Sequence, residues 1–483
     1  MTAPRTDPAV FGAIDIGASS GRVVAGVLDA DGLRLEVVHR FSNSAIEVDG
    51  HLRWDLSGLF AEVLVGLTEL ARRHPRVLSV GIDTWAVDYG LLDANGRLLA
   101  EPVAYRDDRT DAAVEQVHAR VDPTRLYAVT GLQFLPFNTL YQLTAERAEP
   151  LWSRTRHALL LPDLLAYWLT GRLRTEATNA STTGLLDATT HAWSAEVFGA
   201  LDLPADLFPP LIQPGETLGV LLPGVASRTG LDPATTVVAV GSHDTASAVV
   251  GVPADGRAFA YVSSGTWSLV GLELDRPVLT PASRAANFTN EGGVDGRIRY
   301  LRNVGGLWLL QECRRSWTEG GQTLDQDALL SAAAELPAGG PVFDVDAPDL
   351  IAPGNMPGRI RHACSATGRT PPADPAAVVR AILDSLAVAY ARTTAEAEAL
   401  TGQAAEVIHI VGGGSRNALL CQLTADLSGR PVLSGPVEAT ALGNLAVQAR
   451  AAGRLPRDLD ALRRRLRQGV TLQRYAPSVD AGA

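Results

Sequence analysis

The chain carries the same local pattern twice. Ala13-Ile-Asp15-Ile-Gly17-Ala-Ser-Ser-Gly21-Arg22-Val-Val-Ala-Gly-Val-Leu lies near the start, and Ala260-Tyr-Val-Ser-Ser264-Gly265-Thr266-Trp267-Ser-Leu-Val-Gly-Leu-Glu lies past the middle. Each sets an apolar run, a small Gly/Ser turn and a second apolar run in that order. Gly17 and Gly265 stand about half the chain apart. Two such strand–turn–strand hairpins, one per half, point to two similar α/β domains facing one nucleotide. A turn built of Gly and Ser offers backbone N–H groups and hydroxyls without bulk, which suits a polyphosphate.

A chain of 483 residues is too long for one core and long enough for two large domains. Apolar residues make up 46% and charged residues 20%, the balance of an ordinary globular protein. The net charge of −11 argues against nucleic acid as a partner. The basic run Arg463-Arg464-Arg465 reads as a solvated helix face. Cys313, Cys364 and Cys421 have no metal-ligand spacing and read as reduced thiols, which suits a cytoplasmic location. The first ten residues lack the apolar stretch of a signal peptide, and the run Ala158–Leu169, broken by Pro162 and Asp163, is too short to span a bilayer.

One absence narrows the chemistry. All 42 basic residues are arginine; the chain has no lysine. A P-loop, a protein-kinase phosphate site and a Schiff base each require a lysine amine.

The pattern along the chain is α/β. Phe11–Ile16, Arg22–Leu28 and Leu33–Arg40 read as strands, and Leu56–Arg73 as a helix with Leu59, Phe60, Val63, Leu67 and Leu70 on one face. The strand Val77–Ile82 ends in Asp83-Thr84-Trp85-Ala86-Val87-Asp88, the end at which open α/β sheets gather ligands. Gly90–Leu92 and the residues from Leu98 suggest a further hairpin, Leu159–Leu169 a helix, and Thr178–Ser181 a polar loop. The strand Thr236–Val240 leads into Gly241-Ser242-His243-Asp244-Thr245, and Ala246–Val250 into a packed helix. Pro337–Pro375, with eight prolines, reads as an irregular excursion. Ala376–Leu400 is a long helix, Glu406–Val411 a strand, and Asn417–Leu427 a helix after the Gly412-Gly413-Gly414 turn. The domain boundary falls near Gly251–Gly256, giving halves 1–252 and 253–483.

Each motif has a plainer alternative. Gly17-Ala-Ser-Ser-Gly21 also fits Gly-x-Ser-x-Gly, a hydrolase elbow with Ser19 as nucleophile, but that motif needs a helix after the turn and a strand is expected here. It is otherwise a phosphate turn or a bare tight turn. Asp15, at the strand end, suits a hydrated Mg²⁺; Arg22 is a phosphate contact or a surface cation. Gly412-Gly413-Gly414 resembles a dinucleotide fingerprint, yet Asn417 stands where Gly or Ala belongs, so it reads as a turn admitting a base and sugar, or as a helix entry. Asp244 fits a general base toward an alcohol, an N-cap for the following helix, or a buried carboxylate bonded to backbone. Asp83–Asp88 and Tyr105–Arg109 mix aromatics with fixed hydrogen-bonding groups, as a sugar site or ordinary loop packing does.

Taken together, Asp15–Arg22, Gly81–Trp85, Pro102–Asp107, Gln133–Gln142, Ser242–Ala246, Ser263–Ser268, Asn290–Gly293, Gly306–Gln311, Val411–Gly414 and Gly435–Ala439 resemble the FGGY carbohydrate kinases, in family order. The turn Ala18–Arg22, the run Gln133–Asn138 and Ser242–Thr245 resemble the branch acting on L-rhamnulose. The resemblance implies an α/β fold of two actin-like, ribonuclease H-like ATPase domains facing an interdomain cleft. It implies ATP and Mg²⁺ as cofactors and phosphorylation of L-rhamnulose at its C1 hydroxyl in rhamnose catabolism, with L-fuculose or L-xylulose as alternatives. A non-enzymatic actin- or Hsp70-like ATPase is the rival from another class. By resemblance Asp244 is the catalytic base. Ala18, Ser19, Ser20, Gly21, Arg22, Thr266, Gln311, Gly413 and Gly414 hold ATP, Asp15 touches Mg²⁺ through water, and Ala86, His243, Asp244, Thr245 and Asn303 hold the ketose. Ala86 replaces the family's usual glycine, so the sugar preference is expected to shift there. The expected partners are the ketose and ATP, with neither membrane nor nucleic acid, in a monomer or weak homodimer.

Overall fold

The computed structural model describes residues 8–478. Two compact units emerge, and they interleave along the chain. The first comprises the chain up to Asp255, Leu274–Tyr300 and Ala439–Val470; the second comprises Gly256–Glu273, Leu301–Glu438 and the residues from Thr471. The contiguous halves 1–252 and 253–483 therefore differ from the compact units, because two later segments return to the first.

The first unit is built on a six-stranded sheet. Its strands are β1 (Ala9–Ile16), β2 (Ser20–Asp29), β3 (Gly32–Ser42), β4 (Val77–Thr84), β5 (Thr217–Val220) and β6 (Thr236–Val238), in the order β5-β6-β4-β1-β2-β3. β1 and β2 are antiparallel through the first Gly/Ser turn, while β1 and β4 are parallel, with Asp15 opposite Asp83. Every residue of β1 is buried, as expected of a central strand covered on both faces. Ile14 and Ile16 join a core with helix α1 (Leu56–Arg73). Phe11 and Ala13, on the opposite face, join Leu442, Leu445 and Ala446 of a helix near the far end of the chain. α1 has the expected bounds: the Asp55 side chain accepts the Gly58 N–H at the start, and Arg72 and Arg73 sit in the last turn.

A second sheet repeats the scheme with β7 (Phe259–Ser264), β8 (Trp267–Leu274), β9 (Ile298–Gly305), β10 (Val407–Val411), β11 (Val432–Ser434) and β12 (Gln473–Tyr475), neighbours in the order β9-β8-β7-β10-β11-β12. β7 is antiparallel to β8 and parallel to β10, as β1 is to β2 and β4.

Helices α2 (Asp244–Val250) and α6 (Ala439–Ala451) belong to the first unit, and α3 (Trp308–Glu319), α4 (Pro375–Thr401) and α5 (Ala418–Ser428) to the second. α2 and α6, both in the first unit, approach backbone to backbone. A Cβ on Gly443 would stand 1.8 Å from the Ser247 carbonyl oxygen.

Several local expectations are corrected. Tyr89–Leu92 pairs with His157–Leu160 as well as with the expected hairpin arm, where Leu92 bridges Leu98, the Asp93 N–H donates to the Arg97 carbonyl and the Leu99 N–H donates to the Leu91 carbonyl. The Leu159–Leu169 helix begins at Leu161, after that strand, and ends at Gly171 with φ 70°. Ala177–Ala180 forms a helical turn because the Glu176 carboxylate accepts the Thr178 and Asn179 N–H groups. The proline-rich excursion contains a helix, Met356–Ala366, whose Pro357 sits in the first turn, where no N–H is needed. Arg463 is buried rather than solvated and donates to the Val249 carbonyl at 2.9 Å, on the last turn of α2. All three cysteines are buried and unbridged. No helix among the described residues is long and apolar enough to cross a membrane.

Candidate active site

In the first unit, the C-terminal ends of parallel strands bring three carboxylates to one edge. Asp15 ends β1, and Asp83 lies beside it on β4. Thr84 then bridges to His243, and its N–H donates to the Ser242 carbonyl at 2.9 Å, which draws in the loop leading to Asp244. Burial above all, then the Asp15 charge and more weakly that of Asp244, holds the Asp83 carboxyl well above its ordinary range.

Asp83 is wholly buried, and a chain of amides supports it. Asn444 Nδ2 donates to its Oδ2 at 2.5 Å, Gln448 Nε2 donates to Asn444 Oδ1 at 2.6 Å, and Ser79 Oγ donates to Gln448 Oε1 at 2.7 Å. Gly81 makes room for this chain, since a Cβ there would stand 2.6 Å from Asn444 Oδ1. Asn444 and Gln448 lie one turn apart on α6, so the late return of the chain supports the β4 end.

The loop around Asp244 is held from several sides. Ser242 donates through N and Oγ to Glu176 Oε2, at 3.0 and 2.7 Å. Arg299 Nη1 and Nη2 lie 3.2 Å from His243 Nδ1. Thr245 Oγ1 donates to Asp244 Oδ1 at 3.1 Å. Ser242, His243 and Thr245 are buried, whereas the Asp244 side chain is 33% exposed. A fixed loop that leaves one carboxylate facing solvent suits a base acting on a bound hydroxyl.

The first Gly/Ser turn is closed by the Gly17 N–H to the Ser20 carbonyl at 2.8 Å, and Asn43 fastens it, donating Nδ2 to the Gly17 carbonyl and N–H to the Ser19 carbonyl. Asn43 was missed in the sequence; nothing local marks a partner more than twenty residues away. Ser19 and Ser20 are exposed, Ala18 is half-buried, and Gly21 lies under the Phe41 ring. Arg22 is half-buried and ion-paired with Asp15 at 2.7 Å, so it is no free surface cation. The strand β2 follows Ser19, so the hydrolase elbow lacks its helix.

Ala86 is half-buried in a three-residue turn closed by the Asp88 N–H to the Ala86 carbonyl, with Val87 at φ 69°. A β-branched residue in the left-handed region is strained unless its surroundings impose it. Here Thr139 Oγ1 and Gln142 Nε2 both donate to the Val87 carbonyl. Asp88 then accepts the indole N–H groups of Trp54 and Trp85 at 2.7 and 2.9 Å, and burial lifts its carboxyl to about 6. Trp54, Trp85 and Tyr105 are buried, so they are a scaffold behind Ala86 and not an open stacking platform.

In the second unit, the predicted nucleotide residues cluster on the second turn. Leu307 and Trp308 N–H groups donate to the Gly265 and Thr266 carbonyls, which seats the start of α3, and with it the exposed Gln311, against the turn. Gly414 lies against the other side: a Cβ on it would stand 2.0 Å from Ser264 Oγ. Gly413 is exposed with open space around it. Asn303 is half-buried on β9. Among the described residues no group of three or more His, Cys, Asp or Glu is placed to hold a metal ion. A single carboxylate such as Asp15 fits an ion carried on a triphosphate and touched through water, not a protein-caged one.

Comparison with known proteins agrees with this geometry. Residues 10–251 match the N-terminal domain of the FGGY family of carbohydrate kinases, and residues 260–452 its C-terminal domain. A rhamnulokinase of Bacteroides thetaiotaomicron is 42% identical over 469 residues, covering 97% of this chain and 96% of that protein. A rhamnulokinase of Bacillus subtilis is 39% identical over 472 residues, covering 97% and 95%. The fold matches the crystal structure of gluconate kinase from Lactobacillus acidophilus, with a TM-score of 0.80 at 18% identity over 98% of this chain and 95% of that one. It also matches xylulose kinase from Rhodospirillum rubrum, with a TM-score of 0.77 at 19% identity over 98% and 95%. With a strand–turn–strand hairpin in each unit, both family domains matched in order and relatives similar from end to end, the chain belongs to the FGGY family of carbohydrate kinases.

Proposed function

We propose that this kinase transfers the γ-phosphoryl group of ATP to the C1 hydroxyl of L-rhamnulose, giving L-rhamnulose 1-phosphate and ADP. The observation that carries the chemistry is Asp244: one half-buried, solvent-reaching carboxylate in a loop where Glu176 holds Ser242 and Arg299 holds His243. The sugar is suggested by the relatives named rhamnulokinase, which cover nearly the whole chain.

In this reading Asp244 accepts the C1 hydroxyl proton as the hydroxyl oxygen bonds to the γ-phosphorus. The bond from that phosphorus to the β–γ bridging oxygen breaks, and ADP leaves with the bridging oxygen. Ala86, His243, Thr245 and Asn303 orient the ketose. Ala18–Arg22, Thr266, Gln311, Gly413 and Gly414 hold the nucleotide, with sequence 1–252 bringing the first phosphate hairpin and sugar site and 253–483 the second hairpin and adenosine site. Asp15 would touch Mg²⁺ through water, and the ion supplies charge neutralisation on the phosphates when bound. Alignment of the acceptor oxygen supplies most of the remaining rate. The reading places the enzyme in the cytoplasm, as a monomer or weak homodimer.

A coupled ADP-release assay over L-rhamnulose, L-fuculose, L-xylulose and no sugar tests this. The highest kcat/KM is expected with L-rhamnulose. ADP release that does not respond to any ketose would remove the kinase assignment of this site, and a higher kcat/KM with another ketose would remove the sugar.

A further inference from the structure

We infer that Arg299 and Glu291 are positioning residues for the transfer step: the Arg299 guanidinium fixes the single imidazole proton of His243 on Nε2, and that N–H turns Asp244 so that its Oδ2 meets the acceptor hydroxyl. The inference rests on the reading of Asp244 as base.

Both Nη atoms of Arg299 lie 3.2 Å from His243 Nδ1. A guanidinium has donors and no acceptor, so Nδ1 must accept and the ring proton must sit on Nε2. Nε2 lies 3.4 Å from Asp244 Oδ1. With the proton there, the pair is a donor facing a carboxylate; with the proton on Nδ1, a lone pair would face that carboxylate and a donor would face the guanidinium. Glu291 Oε2 is 3.2 Å from Nδ1, but it stands 2.9 Å from Arg299 Nη1. Its role is to balance the arginine.

The arrangement has one setting. Arg299 is wholly buried, and its Nε donates to the Gly292 carbonyl at 2.9 Å. Burial raises the Glu291 carboxyl, and the groups facing it, the Arg299 charge first among them, outweigh burial, so it stays below its ordinary range. A buried ion pair is a poor way to gain stability, since removing two charges from water offsets their attraction. Its value here is orientation: the second shell of a base decides which lone pair it presents. Thr245 Oγ1 also donates to Asp244 Oδ1. With the Thr245 hydroxyl bonded to Oδ1 and His243 Nε2 3.4 Å from the same oxygen, Oδ2 is the oxygen left for the sugar.

The decisive measurement is histidine-selective ¹⁵N NMR of the whole wild-type protein at neutral pH, with the His243 signals assigned by their loss in His243→Gln. A protonated Nε2 and an unprotonated Nδ1 are expected. A proton on Nδ1, or on both nitrogens, overturns the inference. The double variant Glu291→Gln/Arg299→Gln removes both charges together and leaves no orphaned ion. It should lower kcat about 10- to 100-fold with KM for ATP unchanged, and Arg299→Lys, which keeps a cationic donor, should recover part of the loss. A folded double variant with wild-type kcat overturns the inference; if it does not fold, the wild-type spectrum still decides. Asp244→Asn, measured alongside, separates the two readings: full turnover there removes the base, whereas a proton on Nδ1 with a dead Asp244→Asn removes only the role of Arg299 and Glu291.

Discussion

Arg22 donates both Nε and Nη2 to a single oxygen of Asp15, Oδ2, at 3.0 and 2.7 Å. The guanidinium thus sets the plane of a carboxylate at the end of the central strand, next to the first phosphate-type turn. Charge-assisted bonds of this kind are worth roughly 1.5–3 kcal/mol. Arg22→Gln is expected to loosen Asp15 and raise KM for MgATP on the order of tenfold, with KM for the ketose unchanged. Steady-state kinetics with each substrate varied in turn checks this. A rise confined to the ketose KM would assign Asp15 and Arg22 to the sugar.

Asp244→Asn keeps the size and position of the side chain at the start of α2 and removes its basicity. Turnover should fall by about 10²–10⁴, the usual effect of losing a general base. Calorimetric titration should show nucleotide affinity unchanged.

Asp88 gives stability a defined pH dependence. Its folded carboxyl titrates at about 6, above the ordinary 3.8, because burial outweighs the hydrogen bonds it accepts from Trp85, Trp54 and Gln142. The neutral form is favoured by the fold, so this contribution is fully present below about pH 4. It is lost as pH rises through about 6, and the total is on the order of 3 kcal/mol. Asp88→Asn should remove it. The stability difference between wild type and variant, read from urea unfolding at pH 4.5 and pH 7, is expected to change in the variant's favour as pH rises. A constant difference would show that Asp88 has an ordinary titration.

Gly443→Ala places a methyl 1.8 Å from a backbone oxygen on α2, where no flexible side chain can give way. The expected cost is about 3 kcal/mol or loss of folding, at the upper end of overpacking effects. Gly224→Ala is the control, since nothing lies within 4 Å of its Cβ position. It should leave the melting temperature unchanged or slightly raised.

What was legible in the sequence was local. Both hairpins show as apolar runs around small turns, and α1 announces its ends through Asp55 and Arg72-Arg73. The two Gly/Ser turns and the loop Ser242–Thr245 were legible for the same reason: their residues are contiguous. The hairpin turning at Asp93–Gly96 was read from its local turn, whereas the second partner of Tyr89–Leu92, His157–Leu160, was not, because it lies more than sixty residues away. The Met356–Ala366 helix was hidden by prolines whose meaning depends on where the helix starts. Asn43, Arg299 and the Asn444–Gln448 pair act only through distant partners. A polar residue bound to something far along the chain looks like any surface residue until the fold is known.

The return of α6 to the first sheet carries a consequence for biosynthesis. Phe11 and Ala13 are covered by Leu442, Leu445 and Ala446, residues translated more than four hundred positions later. While the ribosome is still working, the opening strands have one flank bare and Asp83 lacks its amide support. The order in which the polypeptide emerges therefore postpones completion of the first unit until α6 has been made.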